Sequence, residues 1–158
     1  MMLNAAETAK AAGGHIIAGN ADALIDSIST DSNKIKGHAL FVPIIGARVD
    51  AHKFITAAAK NGAAAAFTAY DTDRLAELAG VSESEFIRNL GAFTLIRVKD
   101  TKEALQSLGA YYREKYVRIP YIGVTGSVGK TTVREMTACA LSASFKVYST
   151  KGNANSQT

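Results

Sequence analysis

The chain has 158 residues, 47% hydrophobic and 20% charged, with a net charge of +4. That composition forms a core and fits one domain or one and a half, while its scattered basic residues lack the concentrated face that nucleic acid requires. No apolar run approaches membrane-spanning length, and Glu7 and Lys10 in the first residues do not suit a secretory signal. The single Cys139 excludes a disulfide framework within the chain and reads as a small core residue in a reducing compartment, so a cytoplasmic protein is expected.

In chain order, Asn4 with Glu7 resembles a capping box, and Gly13-Gly14 stops the short helix that it starts. Extended candidates follow at 15–17, 24–29 and 40–45, with Pro43 arguing for an edge strand or a bulge. Phe54, Ile55, Ala58 and Ala59 form a helical stripe ending at Asn61-Gly62, and 63–69 is a small-residue strand beneath it. Residues 71–90 read as two helical pieces separated by Gly80, and 93–98 as a strand. Asp100 caps a long helix with Glu103 in the box position and Leu105, Leu108 and Tyr112 on its buried face. A domain boundary is expected between 98 and 99, and the alternation of strands and helices implies an α/β layer structure.

The second part reads as helix, strand, loop, helix, strand. Residues 119–125 are nearly all apolar, as in a parallel strand covered on both faces, and 145–149 would return beside it. Between them Val133, Met136, Thr137, Ala140 and Leu141 share one helical face, with Arg134 and Glu135 elsewhere. Two parallel strands and two helices do not close a doubly wound sheet, so 99–158 reads as the start of a domain, and its open strand edges would favour self-association of this stretch.

The loop between these elements carries the chemistry. In Gly123-Val124-Thr125-Gly126-Ser127-Val128-Gly129-Lys130-Thr131-Thr132, glycines let backbone N–H groups turn inward toward anionic oxygens. The following helix adds its positive N-terminal end, Lys130 adds a full charge, and Thr131 offers a hydroxyl to a nucleotide-bound magnesium ion. The generic phosphate-loop pattern wants glycine where Val124 stands, so the strand–loop–helix context supports a nucleoside triphosphate site more than the pattern does. Elsewhere, Thr30, Asp31, Ser32 and Asn33 form a polar turn that its own side chains can hold. His15, His38 and His52 have no metal-ligand spacing, and Tyr111-Tyr112 reads as packing. Lys34 and Lys36 read as surface lysines, with attraction of a diphosphate as the alternative.

Thr125-Gly126-Ser127-Val128-Gly129-Lys130-Thr131-Thr132 followed by Arg134-Glu135-Met136 resembles the Mur ligases of peptidoglycan synthesis. Ser127-Val128 favours the type that joins D-alanyl-D-alanine to UDP-N-acetylmuramoyl-tripeptide over the sister type that adds the third peptide residue, and Gly152-Asn153-Ala154-Asn155 agrees. So do, in the N-terminal part, Ser29-Thr30-Asp31-Ser32, Leu40-Phe41-Val42, Gly46, Asp50 through Ile55, Asn61-Gly62-Ala63 and Asp100-Thr101. The chain departs from the family where Asn33 replaces arginine, Pro43 alanine and Ala51 glycine, all on the nucleotide-sugar side.

The resemblance implies an α/β fold with a UDP-substrate-binding domain at 1–98 and the beginning of an ATP-binding domain at 99–158. It implies an ATP- and Mg2+-dependent ligase of cell-wall precursors that works through an acyl phosphate, this stretch being inactive alone, with no nucleic-acid or membrane partner and a monomeric full-length enzyme. Lys130 would be the catalytic cation at the β- and γ-phosphates, Thr131 would meet magnesium, and Thr125, Gly126, Ser127, Val128, Gly129 and Thr132 would complete the ATP cradle. Thr30, Asp31, Ser32, Asn33, Gly46, Asp50 and His52 would line the UDP-substrate pocket, and Asn153 and Asn155 would touch substrate or order the loop. The alternatives are a UDP-sugar-binding module without turnover, and an unrelated phosphate-loop kinase or GTPase.

Overall fold

The computed structural model describes residues 2–46 and 49–150. It divides into two compact units, the first ending at Arg118 and the second beginning at Ile119.

The first unit is built on a five-stranded sheet in the order β2 (His15–Ala18), β7 (Thr94–Arg97), β6 (Ala65–Thr68), β5 (Ala39–Phe41), β4 (Ser27–Ser29). Strands β4 to β7 are parallel to their neighbours, and β2 closes the far edge antiparallel to β7. Apart from them, β1 (Leu3–Asn4) pairs antiparallel with β3 (Leu24–Ile25). The extended stretch expected at 24–29 is therefore two strands in different sheets, parted at Asp26, whose carboxylate bonds Ser27 Oγ and the His38 N–H.

Side-chain alternation along these strands decides which helix covers which face. Leu40, Ala65, Phe67 and Ile96 point to the side covered by α1 (Ala5–Ala11) and α5 (Thr101–Tyr116), where Ala5, Ala9, Ala104 and Leu108 meet them. Phe41, Ala66 and Leu95 point to the other side, under α2 (Ile55–Lys60), α3 (Thr72–Ala79) and α4 (Glu83–Leu90), through Ile55, Ala58, Leu75 and Phe86. Small residues in β6 let helices approach on both sides, and all four of its residues are buried.

The helix ends follow their side chains. Asn4 accepts from the Glu7 N–H at 2.8 Å, and Asp100 accepts from the N–H groups of Lys102 and Glu103 at 2.8 Å each. Glu7 does not return the bond as a capping box would. Its carboxylate oxygen instead accepts from Tyr111 Oη, Lys115 Nζ and Tyr116 Oη, fastening α1 to the last turns of α5. Gly80 closes α3 in the left-handed conformation, φ 70°.

Three expectations about this unit change. Pro43 marks neither an edge nor a bulge: β5 lies inside the sheet and stops at Phe41, before the residue that cannot donate to a ladder. The compact unit runs past the boundary placed at 98/99, because Ala104 and Leu108 of α5 belong to its core. Leu105 and Tyr112 lie at the border of that core, partly buried.

In the second unit, α6 (Lys130–Ser142) has the expected start, but the flanking strands are not formed. Among the described residues 119–125 and 145–149 enter no ladder, and Ile119, Ile122 and Phe145 are exposed. An apolar run supplies the side chains of a buried strand; a ladder also needs a hydrogen-bonding neighbour, and none is present here among the described residues. For the same reason the face of Val133, Met136, Thr137, Ala140 and Leu141 is not a core: no residue of α6 is buried, and Met136 is 68% exposed. Cys139 is exposed rather than a core residue.

Candidate functional site

Four parallel strands end on the same edge of the first sheet, so the segments after β4, β5, β6 and β7 gather there, where open α/β sheets bind ligands. Most of the candidate nucleotide-sugar residues lie in these segments.

After β4, Ser29 Oγ donates to the Asp31 carbonyl at 2.8 Å and accepts from the Asp31 N–H at 3.2 Å. Asp31 in turn accepts from the Asn33 N–H at 2.9 Å, with Lys34 Nζ 3.4 Å from its other oxygen. The Asn33 N–H, and then Lys34, hold the Asp31 carboxyl below its ordinary value. The turn is thus held by its own side chains, which leaves Thr30 and Asn33 exposed at its rim while Ser32 is buried. The Ser32 carbonyl accepts from Asn61 Nδ2 at 2.8 Å.

After β5 the chain turns back on itself: the Gly46 N–H donates to the Val49 carbonyl at 3.0 Å, and Ile45 and Asp50 form an antiparallel bridge. Asp50 Oδ1 accepts from the His52 N–H at 2.9 Å and lies 2.6 Å from His52 Nδ1, while Tyr70 Oη donates to Asp50 Oδ2 at 2.9 Å. The other ring nitrogen, Nε2, accepts from the Ala69 N–H at 3.0 Å. Nε2 therefore carries the lone pair and Nδ1 the proton, so His52 is a neutral imidazole donating to Asp50. Burial pushes the Asp50 carboxyl up, but the hydrogen bonds from His52 and Tyr70 outweigh it and hold it below its ordinary value. The same carboxylate raises the Tyr70 hydroxyl.

This arrangement alters the expected role of His52. Its side chain is fully buried and both ring nitrogens are committed within the protein, so it has no nitrogen to offer a ligand. Tyr70 and Asn61, each tied to a candidate loop, were not singled out from the sequence as site residues. Asn61-Gly62 carries a helix-stop signal, but the partners of both side chains lie far away in sequence. Further along the same edge, Gly13, His15, Asp71, Arg97, Val98 and Lys99 line a recess of about 340 Å3, with Arg97 Nε 3.2 Å from Asp71 Oδ1.

In the second unit the loop before α6 turns on Gly126, φ 149°, and Gly129, φ 78°, backbone conformations that a side chain disfavours. Lys130 Nζ reaches back across it to the Gly126 carbonyl at 2.5 Å. The first helical hydrogen bond, from the Val133 N–H to Gly129 at 2.9 Å, leaves the N–H groups of Lys130, Thr131 and Thr132 ahead of the helical ladder. The loop from Thr125 to Thr132 thus gathers an ammonium group, hydroxyls and backbone N–H groups without a carboxylate, a donor set suited to phosphate oxygens. Thr131 offers magnesium one hydroxyl, and the ion's remaining ligands would come from the nucleotide and water. Among the described residues no group of three His, Cys, Asp or Glu side chains could hold a metal ion. Lys130, Thr131 and Arg134 also line a groove of about 960 Å3 whose apolar side includes Ile122, Leu141 and Phe145. Asn153 and Asn155 lie outside the described residues.

No helix of the described residues is long and apolar enough to cross a membrane. The family described as "Mur ligase family, catalytic domain" matches residues 24–113, from β3 into α5, without the loop at 123–132. UDP-N-acetylmuramoyl-tripeptide--D-alanyl-D-alanine ligase of Treponema pallidum is 37% identical over 132 residues, 84% of this chain and 28% of the relative. UDP-N-acetylmuramoyl-L-alanyl-D-glutamate--2,6-diaminopimelate ligase 2 of Clostridium acetobutylicum is 38% identical over 119 residues, 75% of this chain and 22% of the relative. A solved structure of MurF from Acinetobacter baumannii superposes with a TM-score of 0.70 at 29% identity, covering 91% of this chain and 28% of that one. The chain thus spans less than a third of the length of these relatives. With a family match across most of the first unit, this chain belongs to the Mur ligase family.

Proposed function

We propose that the chain is the substrate- and phosphate-binding part of an ATP-dependent ligase of peptidoglycan precursor synthesis, joining D-alanyl-D-alanine to UDP-N-acetylmuramoyl-tripeptide. The first unit takes the nucleotide sugar at the carboxyl edge of its sheet, with Thr30 and Asn33 as contacts and Asp31, Ser32, Gly46 and Asp50 shaping the loops. In the second, Lys130 and the backbone from Thr125 to Thr132 take the phosphates of ATP, and Thr131 the magnesium ion. The observation that carries this reading is the loop turned on Gly126 and Gly129, with the Lys130 ammonium folded over it at the head of α6.

The chemistry fits these donors. A carboxylate repels ATP and is a poor electrophile, so the site must neutralise phosphate charge and align the two groups. A carboxylate oxygen of the tripeptide attacks the γ-phosphorus, the bond to the β-phosphate oxygen breaks, and an acyl phosphate and ADP result. The amine of D-alanyl-D-alanine then attacks the acyl carbon, phosphate leaves, and the nitrogen loses a proton. Lys130 stabilises charge on the β- and γ-oxygens during the first step. We also propose that the 158 residues alone bind substrates without turnover, because among the described residues 119–150 no strand ladder supports the loop and no acidic cluster faces it.

An amide chemical-shift titration with Mg-ATP and with UDP-N-acetylmuramoyl-tripeptide tests this, since it reads millimolar as well as micromolar affinity. Lys130→Ala should weaken Mg-ATP roughly ten- to a hundredfold, the range for a charge-assisted contact, and leave the nucleotide sugar unaffected. Equal Mg-ATP affinity in that variant overturns the role of Lys130, and D-alanyl-D-alanine-dependent phosphate release by the 158 residues overturns their inactivity. The similarity to a diaminopimelate ligase supports the sister reaction as a second reading. Binding of UDP-N-acetylmuramoyl-dipeptide in preference to the tripeptide would favour it.

A further inference from the structure

The two loops assigned to the nucleotide sugar are both fastened to one short piece of chain, the 3-10 turn Ala51–Phe54 and α2 that continues from it. At its start, His52 bonds Asp50 on one side and the Ala69 N–H on the other, and Tyr70 Oη closes onto the free oxygen of Asp50. The Tyr70 and His52 rings pack with centroids 4.6 Å apart. Because Asp50 bridges to Ile45, fixing Asp50 against β6 also fixes the return of the chain beside Gly46. At the other end of the segment, Asn61 follows the last helical residue and donates from Nδ2 to the Ser32 carbonyl, in the turn that presents Thr30 and Asn33. Ile55 and Ala58 between these two ends are fully buried, so the segment cannot shift without opening the core.

We propose that Ala51 through Asn61 is a bracket that sets the spacing of the two nucleotide-sugar loops, with Tyr70 and Asn61 as positioning residues; this rests on the reading of that site given above. Neither hydroxyl nor amide needs to touch the ligand. Each removes loop freedom that binding would otherwise have to remove, so losing it weakens affinity without changing a contact. His52 is the rigid core of the bracket. Tyr70 and Asn61 are its two separable hydrogen bonds, made at opposite ends to different loops.

The test uses Tyr70→Phe, which keeps the ring, and Asn61→Ala, with two readouts. Titration with UDP-N-acetylmuramoyl-tripeptide should show a dissociation constant raised roughly two- to tenfold in each variant, the range for one lost hydrogen bond, and multiplicatively in the double variant. Amide hydrogen exchange without ligand should rise selectively, at Gly46 in Tyr70→Phe and at Asn33 in Asn61→Ala. Uniform acceleration through β5, β6 and β7 would overturn the proposal by showing general destabilisation instead. Wild-type affinity in all variants, with the wild type binding, overturns the bracket alone. Failure of the wild type to bind a uridine diphosphate ligand overturns the assignment of the site, and the bracket's role with it.

Discussion

Replacing Glu7 with glutamine removes a charge from the contact that fastens α1 to the end of α5 while leaving an acceptor in place. Three donors meet on one carboxylate oxygen, Lys115 Nζ at 2.6 Å, Tyr111 Oη at 2.7 Å and Tyr116 Oη at 2.9 Å. The Lys115 side chain is 49% exposed, so solvent screens its ion pair and leaves it a minor part of the contact. The loss of charge assistance in the two phenol bonds carries most of the effect, which puts Glu7→Gln about 0.5–2 kcal/mol below the wild type near neutral pH. The Lys115 bond, then those of the tyrosines, lowers the Glu7 pKa from an ordinary 4.5 to about 2. A carboxyl depressed in the folded state contributes stability that is fully present above its unfolded value and is lost as pH falls through its folded value. The difference between wild type and variant should therefore hold above pH 4.5 and shrink between 4.5 and about 2. Subtracting the two urea unfolding curves at each pH isolates Glu7 from Asp26, Asp31 and Asp50, which titrate in both proteins. Equal stabilities near neutral pH, or a difference that does not shrink toward pH 2, would refute the reasoning.

The same contact has an alkaline counterpart: Glu7 raises the Lys115 ammonium above its ordinary 10.5, so that group's contribution is present below 10.5 and lost as pH rises beyond it, an effect Lys115→Met should abolish in the same unfolding series. Gly14→Ala would place a Cβ 2.4 Å from the Arg97 carbonyl oxygen, where β2 starts beside the end of β7. Rigid backbone on both sides makes a loss of about 1–3 kcal/mol the expected result by thermal unfolding, and an unchanged melting temperature would show that the turn relaxes freely. Leu108→Ala should cost about 2–5 kcal/mol, since Leu108 is fully buried, and a negligible loss would mean that α5 does not belong to the first unit's core.

The sheet of the first unit was legible in the sequence because each signal there had a local cause. Asn4 and Asp100 cap with their own side chains, Gly80 parts two helices, and the run of small residues at 63–69 becomes the buried centre of the sheet. Strand order and the partition of 24–29 between two sheets were not legible, because pairing partners are set by contacts distant in sequence. The segments at 119–125 and 145–149 show the same limit from the other side. Their apolar residues state what burial would favour, but without a ladder partner they form no strand and stay mostly exposed.

The candidate site divides along the same line. The turn around Asp31 could be read from adjacent Ser, Asp and Asn residues, since its hydrogen bonds span two positions. His52 enters the site only through the family resemblance, and two of its three hydrogen bonds, both to Asp50, are local. The third, from the Ala69 N–H just after β6, lies beyond α2 in sequence, and it makes the ring part of the frame. Tyr70 and Asn61 have no local signal, since each makes its single informative hydrogen bond across 20 and 29 residues. Residues that contact a ligand tend to reveal themselves by type, whereas those that hold the contacting loops do so only by position. Under the proposed function Thr30 and Asn33 are of the first kind and His52, Tyr70 and Asn61 of the second, so affinity at the proposed sugar-nucleotide site should depend on the bracket as well as on the turn it supports.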